Sequence, residues 1–190
     1  MQHAVSERFS RAIALGLGVL LLALLPYANA AGEDRELAAL RAQANTESAN
    51  KELVRRWLSE LWDQARFEVA DELLAEKFTR HSEGYPAQGP DAYVAIIKSC
   101  HDAFPDTRIT MVAEPIAEGD RVFVRWRWTG THEHPFRGVA PTSRKIDVLG
   151  EDVIRIQDGR ITDVWPLFDP LRLMFQLGAL QQVAGDKLKQ

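Results

Sequence analysis

Residues 122–131 read VFVRWRWTGT. β-branched and aromatic residues alternate there with Arg and Thr at a period of two, the pattern of a half-buried strand. Val122, Val124, Trp126 and Trp128 share one face, and His132 continues that parity past Gly130. Arg125 and Arg127 point the other way, toward solvent or a partner subunit. Glu118-Gly119-Asp120 marks a turn before this strand, and Ile109, Met111 and Ala113 alternate with polar residues ahead of the turn. Downstream, an extended run covers Lys145 to Ile156, and Asp158-Gly159 signals a hairpin into Ile161 to Phe168.

The upstream half has the other period. Leu53, Val54, Trp57, Leu58, Leu61 and Trp62 recur at helical spacing, with Lys51, Glu52, Arg55, Arg56, Ser59 and Glu60 as the solvated face. Phe67, Ala70, Leu73, Leu74 and Phe78 predict a second, shorter helix. Gly89-Pro90-Asp91 opens a third, with the stripe Tyr93, Ile96, Ile97, Cys100 and Phe104, and Pro105 ends it. Three helices followed by hairpin-linked strands predict an α+β domain, its helices on one face of a curved sheet.

Composition narrows the function classes. The chain has 190 residues, 46% hydrophobic and 26% charged, with a formal net charge of −4. That is one globular domain plus an extension. No run of Lys and Arg supplies the basic footprint that nucleic-acid binding needs, so nucleic acid is not an expected partner. The single cysteine, Cys100, excludes an intramolecular disulfide and any CxxC site. Cys100 itself falls on an apolar helix stripe, which argues for burial.

Residues 1–30 read as a secretory signal. Arg8 and Arg11 precede the apolar run AIALGLGVLLLALL of residues 12–25, which is short for a membrane span. Pro26 breaks the run, and Ala28-Asn29-Ala30 offers small residues to a signal peptidase. Export to the periplasm or beyond is therefore expected, with no membrane association after cleavage. Residues 31–48 are expected to be a flexible lead-in, with residues 31–45 either mobile or a frayed helical turn, residues 49–180 the domain, and residues 181–190 a C-terminal tail.

Three polar positions stand out. If the last strand stays regular through Pro166, Ile161, Asp163, Trp165, Leu167 and Asp169 share its apolar face. A carboxylate there would be partly desolvated and usable as an acid or base. The alternative is that Asp169 only caps the helix beginning at Pro170. His81 follows the second helical segment, where a surface or capping role is the plain reading. His132-Glu133-His134 is an H-x-H pair, but no closed ligand set appears at metal-site spacing, and no metal is expected. P-loop, GxGxxG and GxSxG motifs are absent, and no cofactor is expected.

An ordered set of short motifs runs through the chain. It comprises Phe104-Pro105-Asp106, Glu118-Gly119-Asp120-Arg121-Val122, Gly130-Thr131-His132 and Gly138-Val139-Ala140-Pro141-Thr142. Asp158-Gly159-Arg160-Ile161, Trp165 with Asp169, and Gln176-Leu177-Gly178-Ala179-Leu180 follow. The set resembles the SnoaL-like polyketide cyclases, or predicted ester cyclases, of the nuclear-transport-factor-2-like superfamily, over about residues 49–180. The resemblance implies a cone-shaped α+β barrel, three N-terminal helices packed on a strongly curved, mainly antiparallel sheet around an apolar pocket. It implies Asp169 as the catalytic acid/base with His132 and His81 at the pocket mouth, and Trp126, Trp165, Phe168 and Tyr93 as substrate-binding walls. Glu133-His134-Pro135 departs from the smaller, Gly-containing stretch of such relatives.

The implied activity is cofactor-independent acid–base chemistry on a small apolar carbonyl or ester compound. The alternative is a non-catalytic periplasmic ligand-binding or scaffold module of the same fold. A homodimer through the open sheet face is also implied, with Arg125 and Arg127 placed to serve it.

Overall fold

A computed structural model describes residues 32–180; the expected signal segment 1–30 and the tail 181–190 lie outside the described residues. The described residues fall into two units, divided between Asn45 and Thr46. In the first, residues 32–45 are helical and exposed. Of the two readings of this lead-in, mobile or a helical turn, the described residues 32–48 are helical. Its Ala, Leu, Glu and Arg residues are strong helix formers, and no Gly or Pro interrupts residues 33–48.

The second unit opens with helix α1 (residues 46–56), which widens into a π-helical segment, Trp57–Asp63. Val54, Trp57, Leu58 and Leu61 are buried along it. Such widened turns are rare and tend to occur at functional sites. The second helix expected over residues 67–78 is only a turn, Phe67–Val69, and the short α2, Ala70–Leu73. From Leu74 the chain is strand β1, Leu74–Arg80. Leu74 and Phe78 sit four apart, as on a helix, yet with Arg80 they are the buried positions of a strand whose pairing shifts register between Leu74 and Thr79. Pairing with the last strand overrides the local period. Strand β2 (Ala87–Gln88), helix α3 (Pro90–Ala103) and strands β3 (Arg108–Met111), β4 (Ile116–Glu118) and β5 (Arg121–Thr131) follow. Strands β6 (Lys145–Gln157) and β7 (Arg160–Phe168) and helix α4 (Pro170–Leu177) complete the unit.

The strands form one curved, unclosed sheet in the order β2-β1-β7-β6-β5-β3, with β4 also on β5. Every pairing is antiparallel except β1 with β7. Val122, Val124 and Trp128 face inward from β5, as its alternation predicts, and β6 alternates buried and open side chains along all its 13 residues. Asp158-Gly159 makes the β6–β7 turn with both φ positive, +51° and +72°.

Strand β7 departs from regular alternation at one place. Arg155 pairs with Asp163 but Ile156 pairs with Ile161, so Thr162 is an extra residue in the ladder. One extra residue exchanges the two faces of everything beyond it. Ile161 points into the core; past the bulge Val164, Pro166 and Phe168 face the interior, and Asp163, Trp165, Leu167 and Asp169 lie on the opposite parity.

Candidate active site

The concave side of the sheet and the helices line an apolar cavity that opens to solvent. The π-helical segment supplies Trp57, Leu58 and Trp62, and α3 supplies Tyr93, Ile96 and Cys100. Ile109, Trp126 and Trp128 come from β3 and β5, and Val164, Pro166 and Phe168 from β7. Among the described residues three charged side chains enter this wall: Arg80 from the end of β1, Arg137 from the β5–β6 loop, and Asp152 from the middle of β6.

Asp152 occupies an inward row otherwise made of Ile146, Val148, Gly150, Ile154 and Ile156, with Val124 and Pro166 as its neighbours across the ladder. It is 4% exposed. Oδ2 accepts a hydrogen bond from Trp126 Nε1 at 3.1 Å, and Oδ1 has no partner among the described residues. Burial pushes this carboxyl up to about 7, against the opposing pull of the Trp126 N–H and the Arg80 charge. The group therefore titrates near neutrality, where an acid or base is most effective.

Tyr93 lies against the same space. Its hydroxyl oxygen accepts a hydrogen bond from Trp62 Nε1 at 2.9 Å, leaving its own proton free to be donated. Burial and the Asp152 charge both push the phenol above its ordinary range, so it stays protonated. Burial likewise raises the Cys100 thiol to about 11, so this cysteine is not a thiolate at neutral pH.

Of the residues singled out in the sequence, Trp126, Phe168 and Tyr93 line the cavity, and Trp165 does not. Asp169, His132 and His81 do not converge on it. Asp169 is exposed and caps α4, its Oδ1 accepting from the Arg172 backbone N–H at 3.0 Å. The Thr162 bulge accounts for this position, because regular alternation would have carried Asp169 to the inner face. His81 follows the inward Arg80 and so points outward. There it stacks on Trp165 at 4.6 Å, and its Nε2 meets Asp163 Oδ1 at 2.8 Å. Burial pushes the Asp163 carboxyl up, but the hydrogen bonds from His81, Thr162 and Arg155 outweigh it and hold the group below its ordinary value. His132 keeps its inward parity but is fully buried, stacked on Phe104 with Nδ1 3.1 Å from Thr142 Oγ1. Burial lowers its pKa, which keeps the imidazole neutral at pH 7. His134 is exposed, with Nδ1 2.7 Å from the Asp102 carbonyl oxygen, and so does not form a ligand pair with His132. Among the described residues no group of three His, Cys, Asp or Glu side chains is arranged to hold a metal ion.

Residues 52–177 match the family model of the SnoaL-like polyketide cyclases. The chain belongs to that family. Its fold agrees with solved structures of SnoaL-like proteins. A protein from Jannaschia sp. CCS1, assigned as a SnoaL-like polyketide cyclase, is 27% identical, with a TM-score of 0.64 over 71% of this chain and 95% of its own. One from Acidithiobacillus ferrooxidans, assigned as a polyketide cyclase, is 29% identical, with a TM-score of 0.62 over 70% of this chain and 96% of its own. AclR from Streptomyces galilaeus, assigned as a hydroxylase, shares the fold at 24% identity and a TM-score of 0.63, over 71% of this chain and 99% of its own. No curated protein matches the chain in sequence.

Within this SnoaL-like domain the cap role of Asp169 has a measurable consequence. Asp169→Ala is expected to lower stability by about 1 kcal/mol through loss of the α4 cap, and to leave turnover within about twofold of wild type. Chemical denaturation and an assay on the same samples check both. Strong loss of turnover in a folded variant would return the catalytic role to Asp169.

Proposed function

We propose that the cavity is the active site of an acid–base enzyme acting on a small, mainly apolar carbonyl compound, with Asp152 as the proton-transfer group. The observation that carries this reading is the Asp152 carboxyl itself: it lines the cavity from an apolar row, is buried, titrates near neutrality, and leaves one oxygen without a partner among the described residues. A structural role for such a group is costly without full hydrogen bonding, because a buried acceptor left unpaired is destabilising.

The chemistry follows from the positions. Ionised Asp152 removes a proton from carbon next to a carbonyl, breaking the C–H bond and leaving its electron pair on the enolate. The Tyr93 O–H, already turned away from Trp62, donates to the enolate oxygen, and the Arg80 guanidinium adds positive potential. The enolate carbon attacks a second carbonyl of the same molecule, forming a C–C bond and closing a ring. The resulting alkoxide takes its proton back from Asp152, so the group ends as it began. Walls of Trp57, Trp62, Trp126, Trp128 and Phe168 keep water from the carboxylate and hold a flat apolar body.

The reading includes export, on the sequence of residues 1–30, and a homodimer, on the exposed sheet face. Light scattering on the purified chain tests the dimer. The acid–base reading is tested by hydrogen–deuterium exchange at the activated position of an aryl 1,3-diketone, followed by NMR, for wild type and for Asp152→Asn. Exchange catalysed equally by both would reject it and favour a ligand-binding module.

A further inference from the structure

The cavity carries more positive charge than its own chain uses. Arg80 is 6% exposed and gives one hydrogen bond, to the Tyr85 carbonyl oxygen. Arg137 is half-buried and has no hydrogen bond or ion pair among the described residues. It is held instead by aromatic faces, its Cζ lying 3.7 Å from the Tyr85 ring centroid, 4.9 Å from Phe136 and 5.9 Å from Phe168. Both guanidinium groups line the cavity, and among the described residues Asp152 is the single carboxylate that lines it with them.

The backbone under Arg137 points the same way. Phe136 and Val139 exchange both backbone hydrogen bonds, at 3.0 and 2.9 Å, around Arg137 and Gly138, whose φ angles are +50° and +81°. That is a type I′ turn, whose first central position favours Asn, Asp or Gly. An arginine there adopts a left-handed conformation at a cost that nearby packing has to offset. Arg137 is thus locked into the wall with its donors unspent, and burial lowers its pKa because the charge has lost water without gaining an anion.

From this arrangement we infer that the substrate bears a carboxylate on its apolar body, and that Arg137, with Arg80 beside it, binds that carboxylate and selects for it. The planar fork of a guanidinium matches a carboxylate with two parallel hydrogen bonds. The aromatic clamp on Arg137 fixes the plane of that fork in advance. This inference rests on the cavity being the reaction site and adds the class of compound that enters it.

The test compares cinnamate with cinnamamide, an isosteric neutral probe, by calorimetric titration at pH 6, where the Asp152 carboxyl is largely neutral. Wild type is expected to bind the acid at least about tenfold more tightly than the amide. Arg137→Met should bring the two affinities within about threefold while leaving amide binding in place. Arg137→Lys should keep part of the preference, since the charge remains and the fork is lost. Arg125→Met, on the outer face where Arg125 pairs with Glu151 at 3.3 Å, should change nothing. Equal affinities in wild type, no acid binding at millimolar concentration, or a preference that survives in Arg137→Met would each overturn the inference. The comparison in wild type needs no variant to fold. An acid preference together with exchange activity that ignores Asp152 would sustain this inference and reject the acid–base reading; the reverse pattern would do the opposite.

Discussion

Asp152→Asn is expected to lower turnover by about 10²–10⁴-fold, the usual worth of a positioned proton-transfer group, in a protein that folds at least as well as wild type. Asn keeps the acceptor that Trp126 Nε1 meets and fits nearly the same volume, so the cavity wall survives while the titrating group is gone. In wild type the rate should rise with pH through about 7, as the carboxylate forms. Stability gives an independent reading with a definite sign. The native pKa of about 7 lies above the ordinary 3.8. Between those values the folded chain therefore holds a proton that the unfolded chain has released. Wild-type stability consequently falls as pH rises from about 4 to about 7, by on the order of 4 kcal/mol for a shift of this size. Asn removes that dependence. Thermal melts of the two proteins should converge near pH 4 and separate toward pH 7, with the variant more stable. A separation that stays constant with pH would show that the carboxyl is not desolvated, and a desolvated acid is what the mechanism needs.

The same residue shows what could be read from the sequence and what could not. The period-two pattern of residues 122–131 survives folding intact, as do the Asp158-Gly159 turn and the helix opened by Gly89-Pro90. Each is a local signal, and the α+β architecture follows from them. Asp152 was legible by the same rule: Ile146, Val148, Gly150, Asp152, Ile154 and Ile156 form one parity row of β6, with an acid where an apolar residue belongs. The acid that ends the apolar row of the last strand, Asp169, instead lies beyond a bulge. Nothing within Ile161 to Phe168 announces the extra residue at Thr162, because a bulge is a mismatch between two strands. The identity of Asp169 as a cap and of Trp165 as an outer residue both turn on it. Strand β1 was hidden for a related reason, its Leu74 and Phe78 spacing being equally good for a helix. Arg80 and Arg137 become site residues only once β1 and the β5–β6 loop meet α3, a contact that no sequence window contains.

Gly150→Ala is expected to impair the site from the floor beneath Trp126. A Cβ on Gly150 would lie 2.2 Å from Trp126 Cζ2 and 2.3 Å from Cη2, far inside van der Waals contact. The strand cannot yield, because β6 is paired on both sides with β5 and β7. The indole must move, and with it the Nε1–H that donates to Asp152. Two effects follow. Overpacking of the Gly150–Trp126 contact costs about 1–3 kcal/mol of stability, and displacement of a cavity wall and its hydrogen bond should cost turnover on the order of 10²-fold. The pH profile carries the diagnostic sign. The indole N–H favours the ionised carboxylate, so its loss raises the Asp152 pKa and shifts the rising limb of the rate profile to higher pH. A double-mutant cycle separates this route from general damage. In a Trp126→Leu background the indole is already absent, and adding the alanine at position 150 should cost little further turnover and leave the pH profile where Trp126→Leu alone puts it. Full additivity of the two substitutions would mean that Gly150 does not act through Trp126, and that the indole is not what tunes the acid.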